Sequence, residues 1–249
     1  MGEVYLSVVV PCYNERENLE RGVLEEMETY LKRVEFTWEL IISDDGSTDN
    51  SREIVRERIT RLEGFRLLEN PHGGKPSAVW YGIQASLGQV VLFTDMDQST
   101  PLDQFDRLQP LLSSGYDLAI GSRGMERENF PLYRRIGSSV FRAFRRLLLL
   151  RNISDTQCGF KAMRTEVARI LFPQLDALRE QRKVSGWQVT AFDVELLYLA
   201  ERAGFKIGED AVTWANRDVA QGKNNSYWRE SRHMAEQVLK IIQRRLSRR

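Results

Sequence analysis

Apolar residues in the first half of the chain come in short blocks separated by longer amphipathic stretches. "VYLSVVVP" (Val4 to Pro11) is a β-branched block stopped by proline, the pattern of a fully buried strand. "WELIIS", "FRLLEN", "QVVLF" and "YDLAIGS" repeat it at intervals down to Ser122. Between these blocks the apolar positions take helical spacing. Leu19, Val23, Met27 and Leu31 make one stripe. "STDNSREIVRERITRL" opens with Ser and Asp caps, "PSAVWYGIQASLG" predicts a helix closed by Gly88, and "LDQFDRLQPLL" predicts another. Alternating strands and helices imply βαβ units and a mostly parallel sheet. Such sheets bind ligands beyond the carboxyl ends of their strands. Tyr13 and Glu15, Asp44 and Asp45, His72 to Lys75, Asp95 and Asp97, and Arg123 follow strands one to five in turn.

The pattern changes near Leu132. "YRRIGSSVFRAFRRLLLLR" carries six arginines from Arg134 to Arg151 and no acid. At roughly 100° per residue, Ile136, Val140, Phe144, Leu147 and Leu148 share one face, and Arg135, Arg142, Arg145 and Arg146 the other. "NISDTQCGFKAMR" reads as a loop. A polar stretch then leads to a helix, "AFDVELLYLAERAG", and a short strand, "KIGEDAVTW". A basic amphipathic helix runs from about Tyr227 to Arg249. No Pro/Gly-rich linker separates a second independent domain.

Length and charge narrow the class. A chain of 249 residues with 42% apolar content can bury a substantial core, and its formal net charge of +1 argues for no polyanionic partner such as nucleic acid. Two cysteines, Cys12 and Cys158, give no disulfide framework, so a reducing compartment is expected. The N-terminus shows no leader pattern. Apolar runs such as Leu147 to Leu150 are far short of the ~20 residues of a spanning helix. The expectation is a cytoplasmic chain that lies on a membrane without crossing it.

The block "VVLFTDMDQSTP" ends in two aspartates one residue apart, Asp95 and Asp97. Carboxylates that close repel, so they need a cation or a proton-handling task. One reading makes them ordinary strand-end and helix-capping acids. A second is the phosphatase box of the haloacid dehalogenases, which "DMDQS" matches by letter, but no later partner acid cluster accompanies it. The third is a divalent metal clamp on a diphosphate: hard carboxylate oxygens suit Mg²⁺ or Mn²⁺ and leave positions for phosphate oxygens. The second acidic pair, Asp44-Asp45, and the first-strand "PCYNE" favour this last reading.

"VVVPCYNERENL", "IISDDGSTDNS", the "GGK" before a helix, "TDMDQSTP" and "GSR" at Gly121 to Arg123 resemble, in order and spacing, the nucleotide-sugar half of the family 2 glycosyltransferases, which have the GT-A fold. "SDTQCGFKAMR" and "AFDVELLYLAERAG" resemble the dolichyl-phosphate β-glucosyltransferase branch, and the polyprenyl-phosphate mannosyltransferases are similar over the first half. The resemblance runs from Ser7 to about Lys223. It implies a GT-A domain over residues 1–226, with a nucleotide-sugar half (1–123) and an acceptor half (124–226), followed by the helix 227–249.

Carried over by position, the resemblance implies that Pro11, Tyr13 and Glu15 border the nucleotide and that Asp45 contacts base or ribose. Asp95 and Asp97, flanking Met96, bind the diphosphate and its metal, with Asp97 the more direct ligand. Lys75 lies near the sugar nucleotide. Arg123 and Arg134 or Arg135 face phosphate, while Arg217 and Lys223 close over the phosphates. Asp155 orients acceptor or sugar, or holds a loop. Asp193 takes a base-like position, against the plain alternative of an acid placed by a helix N-terminus. Ser99 stands where mannosyltransferase relatives carry a glutamine, Ser43 replaces an apolar residue, and "RDVAQGKNN" lacks the serine that commonly precedes the lysine. His72 reads as a solvated loop residue.

A phosphate monoester acceptor, with a second pKa of about 6, arrives largely as a dianion and needs cations more than a base. The arginine-rich helices fit docking on an anionic membrane surface, or plain packing on the sheet. The expectation is an inverting enzyme that moves a hexose, best glucose from UDP-glucose, to a polyprenyl or dolichyl phosphate with Mg²⁺ or Mn²⁺. GDP-mannose as donor, a small soluble acceptor, and a non-catalytic nucleotide-sugar-binding module are the alternatives. Recruitment by an integral membrane partner stays open.

Overall fold

The computed structural model describes residues 3–123, 153–179 and 192–220. Its strands are β1 (Leu6–Cys12), β2 (Trp38–Asp44), β3 (Phe65–Glu69), β4 (Val90–Phe93), β5 (Leu118–Ser122), β6 (Lys161–Arg164) and β7 (Ile207–Ala211). They form one sheet in the order β3-β2-β1-β4-β6-β5-β7. β1 lies parallel to β2 and β4, β2 to β3, and β5 to β7. β6 runs antiparallel between β4 and β5.

Side chains alternate across the sheet, so each strand feeds two cores. Val8 and Val10 of β1, with Leu40 and Ile42 of β2, face α2 (Val23–Leu31) and α5 (Phe105–Ser113). Val9 and Ile41 face α4 (Lys75–Ala85), and the same core takes in α6 (Thr165–Leu171) and α8 (Phe192–Arg202). The remaining helices are α1 (Arg16–Glu20), α3 (Ser51–Ile59) and α7 (Asp176–Arg179). Val8, Val9, Val10, Leu40, Ile41 and Ile42 are all fully buried. Burying such a side chain is worth ~1.5–3 kcal/mol, which makes β1 and β2 a firm base for the loops at their carboxyl ends.

Three local expectations change. The stripe from Leu19 to Leu31 is buried as expected, but it is not one helix: Gly22 takes φ 90°, splitting it into α1 and α2. A side chain would resist that left-handed backbone. Gly88 does not close α4, which ends at Ala85; its amide instead donates to Ser7 Oγ at 2.8 Å, tying the loop to β1. Lys161–Arg164, expected in a loop, is a strand inside the sheet, between β4 and β5. Its four residues are too few to show a period, and a fully buried lysine stands where an apolar residue would have marked it.

Among the described residues no helix is long and apolar enough to cross a membrane. The arginine-rich segment 133–151, the tail 227–249, Arg134, Arg135 and Lys223 lie outside the described residues.

Candidate active site

An open cleft lies at the carboxyl ends of β1, β2 and β4, where sheets of this kind bind ligands. The residues that follow these strands line it, together with the start of α4: Pro11, Tyr13, Glu15, Asp45, Lys75 and the Asp95–Asp97 turn. Met96 lines it too but is otherwise buried, pinning that turn to the core.

Asp45 marks one end. Its Oδ1 accepts from the Gly73 amide and its Oδ2 from the Gly74 amide, each at 2.8 Å. His72 Nδ1 lies 2.9 Å from the Asp45 carbonyl and 2.8 Å from Oδ2. Both are acceptors, so Nδ1 carries the proton. Burial pushes the Asp45 carboxyl up, against the lowering pull of Gly73, His72 and Gly74. The His72 ring stacks on Tyr13 with centroids 4.5 Å apart and planes 19° off parallel. His72 is therefore not a solvated loop residue; it joins Tyr13 and Asp45 in one aromatic and acidic wall. The signal was its place, directly after the third strand and before two glycines that donate to Asp45.

Asp44 has a different task. Its fully buried carboxylate accepts from the Gly46 amide at 3.0 Å, the Ser47 amide at 3.1 Å and Arg52 Nε at 2.6 Å. Arg52 answers its charge, so the acidic pair at the end of β2 calls for no metal. Ser43, the polar replacement, donates to the Ala78 carbonyl at 2.6 Å and ties β2 to α4.

The Asp95–Asp97 turn marks the other end. Lys75 Nζ pairs with Asp95 Oδ1. Burial alone would disfavour the ammonium, but Asp95, Asp193 and Asp97 outweigh it and hold Lys75 above its usual range. Lys75 thus relieves part of the repulsion that the sequence left to a metal alone. The Asp97 carboxyl is raised, first by burial and then by the neighbouring Asp95 charge, while its Oδ1 accepts the Ser99 amide at 2.8 Å. A bound cation would favour its ionised form. Arg21, at the break between α1 and α2, donates to the Asp97 carbonyl at 2.8 Å. A Cβ on Gly159 would collide with Asp95 Oδ2, so glycine is what lets the loop before β6 pass that carboxylate.

Among the described residues no cluster of three or more His, Cys, Asp or Glu side chains is placed to hold a metal ion. The Asp95–Asp97 pair still fits Mg²⁺ or Mn²⁺. It offers hard oxygens and leaves the remaining positions to water and phosphate oxygens.

The structure does not gather every expected residue around this cleft. Arg123 grips Asp155 with Nε to Oδ2 at 2.7 Å and an Nη2 to Oδ1 at 2.9 Å, and lies over the Trp214 ring at 5.8 Å. Burial would raise the Asp155 carboxyl, but Arg123 overrides it and holds it well below the usual range. Arg217 Nη2 donates to both Glu26 carboxylate oxygens, at 2.9 and 2.8 Å, and the Arg217 amide donates to Ser99 Oγ at 3.2 Å. Asp218, next in the chain, lines the cleft and accepts from Asn18 Nδ2 at 2.9 Å. Asp193, in the first turn of α8, meets the buried Lys161 Nζ at 2.6 Å. Lys161, Arg21 and Asp218 are the residues that the sequence pattern did not mark, and His72 is one it marked but read as solvated. Cys12 and Cys158 are free, buried thiols, each pushed up by burial.

The chain is similar to known proteins along most of its length. The sequence profile described as Glycosyl transferase family 2 matches residues 7–172. A dolichyl-phosphate beta-glucosyltransferase of Trichomonas vaginalis is 35% identical, over 85% of this chain and 64% of that protein. One of Dictyostelium discoideum is 34% identical, over 96% of this chain and 74% of that protein. The chain thus spans roughly two thirds to three quarters of the length of these relatives. Among solved structures, glucosyl-3-phosphoglycerate synthase from Mycobacterium tuberculosis, in complex with Mn²⁺, uridine diphosphate and glucosyl-3-phosphoglycerate, superposes with a TM-score of 0.64 at 21% identity, covering 96% of this chain and 80% of that one. A mixed sheet of this order, with its cleft at the carboxyl ends of the parallel strands, is the GT-A fold. The chain belongs to glycosyl transferase family 2.

Proposed function

We propose that the chain is an inverting glucosyltransferase that moves glucose from UDP-glucose to a dolichyl or polyprenyl phosphate, working on the cytoplasmic face of a membrane. One observation carries this reading. The cleft has an aromatic and acidic wall at one end, Tyr13–His72–Asp45, and a cation–carboxylate cluster, Lys75–Asp95 with Asp97, at the other. A nucleoside fits the first and a diphosphate the second. The names of the relatives supply the sugar and acceptor.

In this reading Asp95 and Asp97 hold Mg²⁺ or Mn²⁺, which when bound offsets the charge of the departing diphosphate. Lys75 adds a fixed cation to the same group. An oxygen of the acceptor phosphate attacks the anomeric carbon as the bond to the UDP oxygen breaks, and UDP leaves with that electron pair. The dianionic acceptor has no proton to lose, so no general base is required. In this reading residues 1–123 serve as the donor half and 124–226 as the acceptor half, and the strands β6 and β7 of the second segment belong to the same sheet as β1 to β5.

The test uses the full chain in detergent with dolichyl phosphate and Mn²⁺. UDP-glucose, GDP-mannose and UDP-GlcNAc, each labelled in the sugar, are offered in parallel. Label entering the organic phase from UDP-glucose supports the reading. Transfer from GDP-mannose alone replaces the donor, and transfer only to a water-soluble acceptor removes the lipid.

A further inference from the structure

Lys161 is fully buried on the interior strand β6, where an unpaired ammonium would be costly. Its donors are committed: one to Asp193 Oδ1 at 2.6 Å and one to the Cys158 carbonyl, with the Phe93 ring 5.6 Å away. Asp193 Oδ1 is therefore spoken for. No described residue donates to Asp193 Oδ2, and the side chain keeps 12% exposure. The charge of Asp193 is felt by Lys75, the partner of Asp95, and by Arg123, the partner of Asp155. In the sheet Lys161 pairs with Phe93, two residues before Asp95, and Gly159 lies against Asp95 itself, so the Lys161–Asp193 pair sits beside the Asp95 end of the cleft.

We propose that Asp193 Oδ2 accepts a hydrogen bond from a hydroxyl of the donor hexose, and that Lys161 is the positioning residue that fixes the carboxylate for this task. Taking a proton from an acceptor would leave Lys161 charged, buried and without its counter-ion. A phosphate is an equally poor ligand for Asp193 Oδ2 itself, because two anions repel. A neutral hydroxyl is the donor that a carboxylate oxygen with a free lone pair takes. This inference rests on the proposed glucosyl-transfer reading and adds the residue that recognises the sugar.

The experiment compares affinities for UDP and UDP-glucose, by calorimetry with Mn²⁺ present, in the wild type, Asp193→Asn, Asp193→Ala and Lys161→Met. The wild type binds UDP-glucose more tightly than UDP. In Asp193→Ala and Lys161→Met that advantage falls about tenfold or more while UDP affinity holds. Asp193→Asn, of equal shape, still accepts from Lys161 through its amide oxygen and shows a smaller loss, and thermal unfolding of each variant guards against one that merely unfolds. An unchanged advantage in Asp193→Ala overturns the inference, as does a wild type that binds both ligands equally. A loss of turnover in Asp193→Asn that raised pH restores, with sugar affinity intact, also overturns it in favour of a proton acceptor. If the wild type prefers a different sugar nucleotide, the glucose reading falls. The same ratio, measured for that donor against its own nucleotide, then decides the role of Asp193.

Discussion

Lys75, the first residue of α4, reaches across the cleft to pair with Asp95 at the carboxyl end of β4. The contact joins two segments twenty residues apart in sequence, and in the proposed reading it puts a fixed cation where a leaving diphosphate would gather charge. Lys75→Met removes that cation and leaves Asp95 less answered. Turnover falls by about two orders of magnitude, as for loss of one oxyanion-stabilising donor. Initial rates of glucose transfer to dolichyl phosphate check this, with thermal unfolding showing that the fold persists.

Gly159 gives a sharper geometric test. Its missing side chain is the space that Asp95 Oδ2 occupies. Gly159→Ala pushes the carboxylate aside, and a displacement near 1 Å can cost about 100-fold in rate. The expected pattern is a large loss of turnover and a higher Mn²⁺ requirement with little change in melting temperature. A variant that melts early but keeps its Mn²⁺ requirement would mean that the glycine serves only packing.

Arg21 holds the Asp97 carbonyl from the break between two helices. Arg21→Met loosens the turn that presents Asp97, so Mn²⁺ binding weakens by about tenfold, the worth of one hydrogen bond to a charged donor. Arg21→Lys recovers part of it. Mn²⁺ titration followed by electron paramagnetic resonance reads the affinity directly, without reference to turnover.

The Arg123–Asp155 pair predicts a pH signature. Arg123 holds the Asp155 carboxyl below its ordinary value, so the pair's stabilisation is complete above about pH 4, where the unfolded chain ionises. It is lost as pH falls further, toward the lowered folded-state value. Asp155→Asn therefore lowers stability at pH 7 by about 2 kcal/mol, below the full value of a buried pair because both side chains keep some exposure. The gap to the wild type narrows only below about pH 4. Chemical denaturation across pH measures it; a gap that is constant down to pH 2 would contradict the assignment.

Much of this architecture is visible in the pattern of residues. Val8, Val9 and Val10 announce a strand buried on both faces, and the acids after β1, β2 and β4 announce a rim for ligands. Local pattern fails where one residue answers a distant one. Asp44 and Asp45 look like twins in sequence, yet Arg52 takes the first and the His72–Gly74 turn the second. Gly22 keeps the apolar stripe but redirects its axis, a matter of one backbone angle. Lys161 hides β6 because a charge at a central strand position reads as surface until Asp193 is seen beneath it. Arg123 and Arg217 look like free phosphate ligands in sequence, and only coordinates reveal Asp155 and Glu26.

The most direct test of the central claim is glucose transfer from UDP-glucose to dolichyl phosphate by wild type and Asp97→Asn, with Mn²⁺ and then with excess chelator. The account predicts lipid-linked glucose from the wild type with Mn²⁺ alone, and none from Asp97→Asn or after chelation. Full transfer in chelator, or by Asp97→Asn, would contradict it.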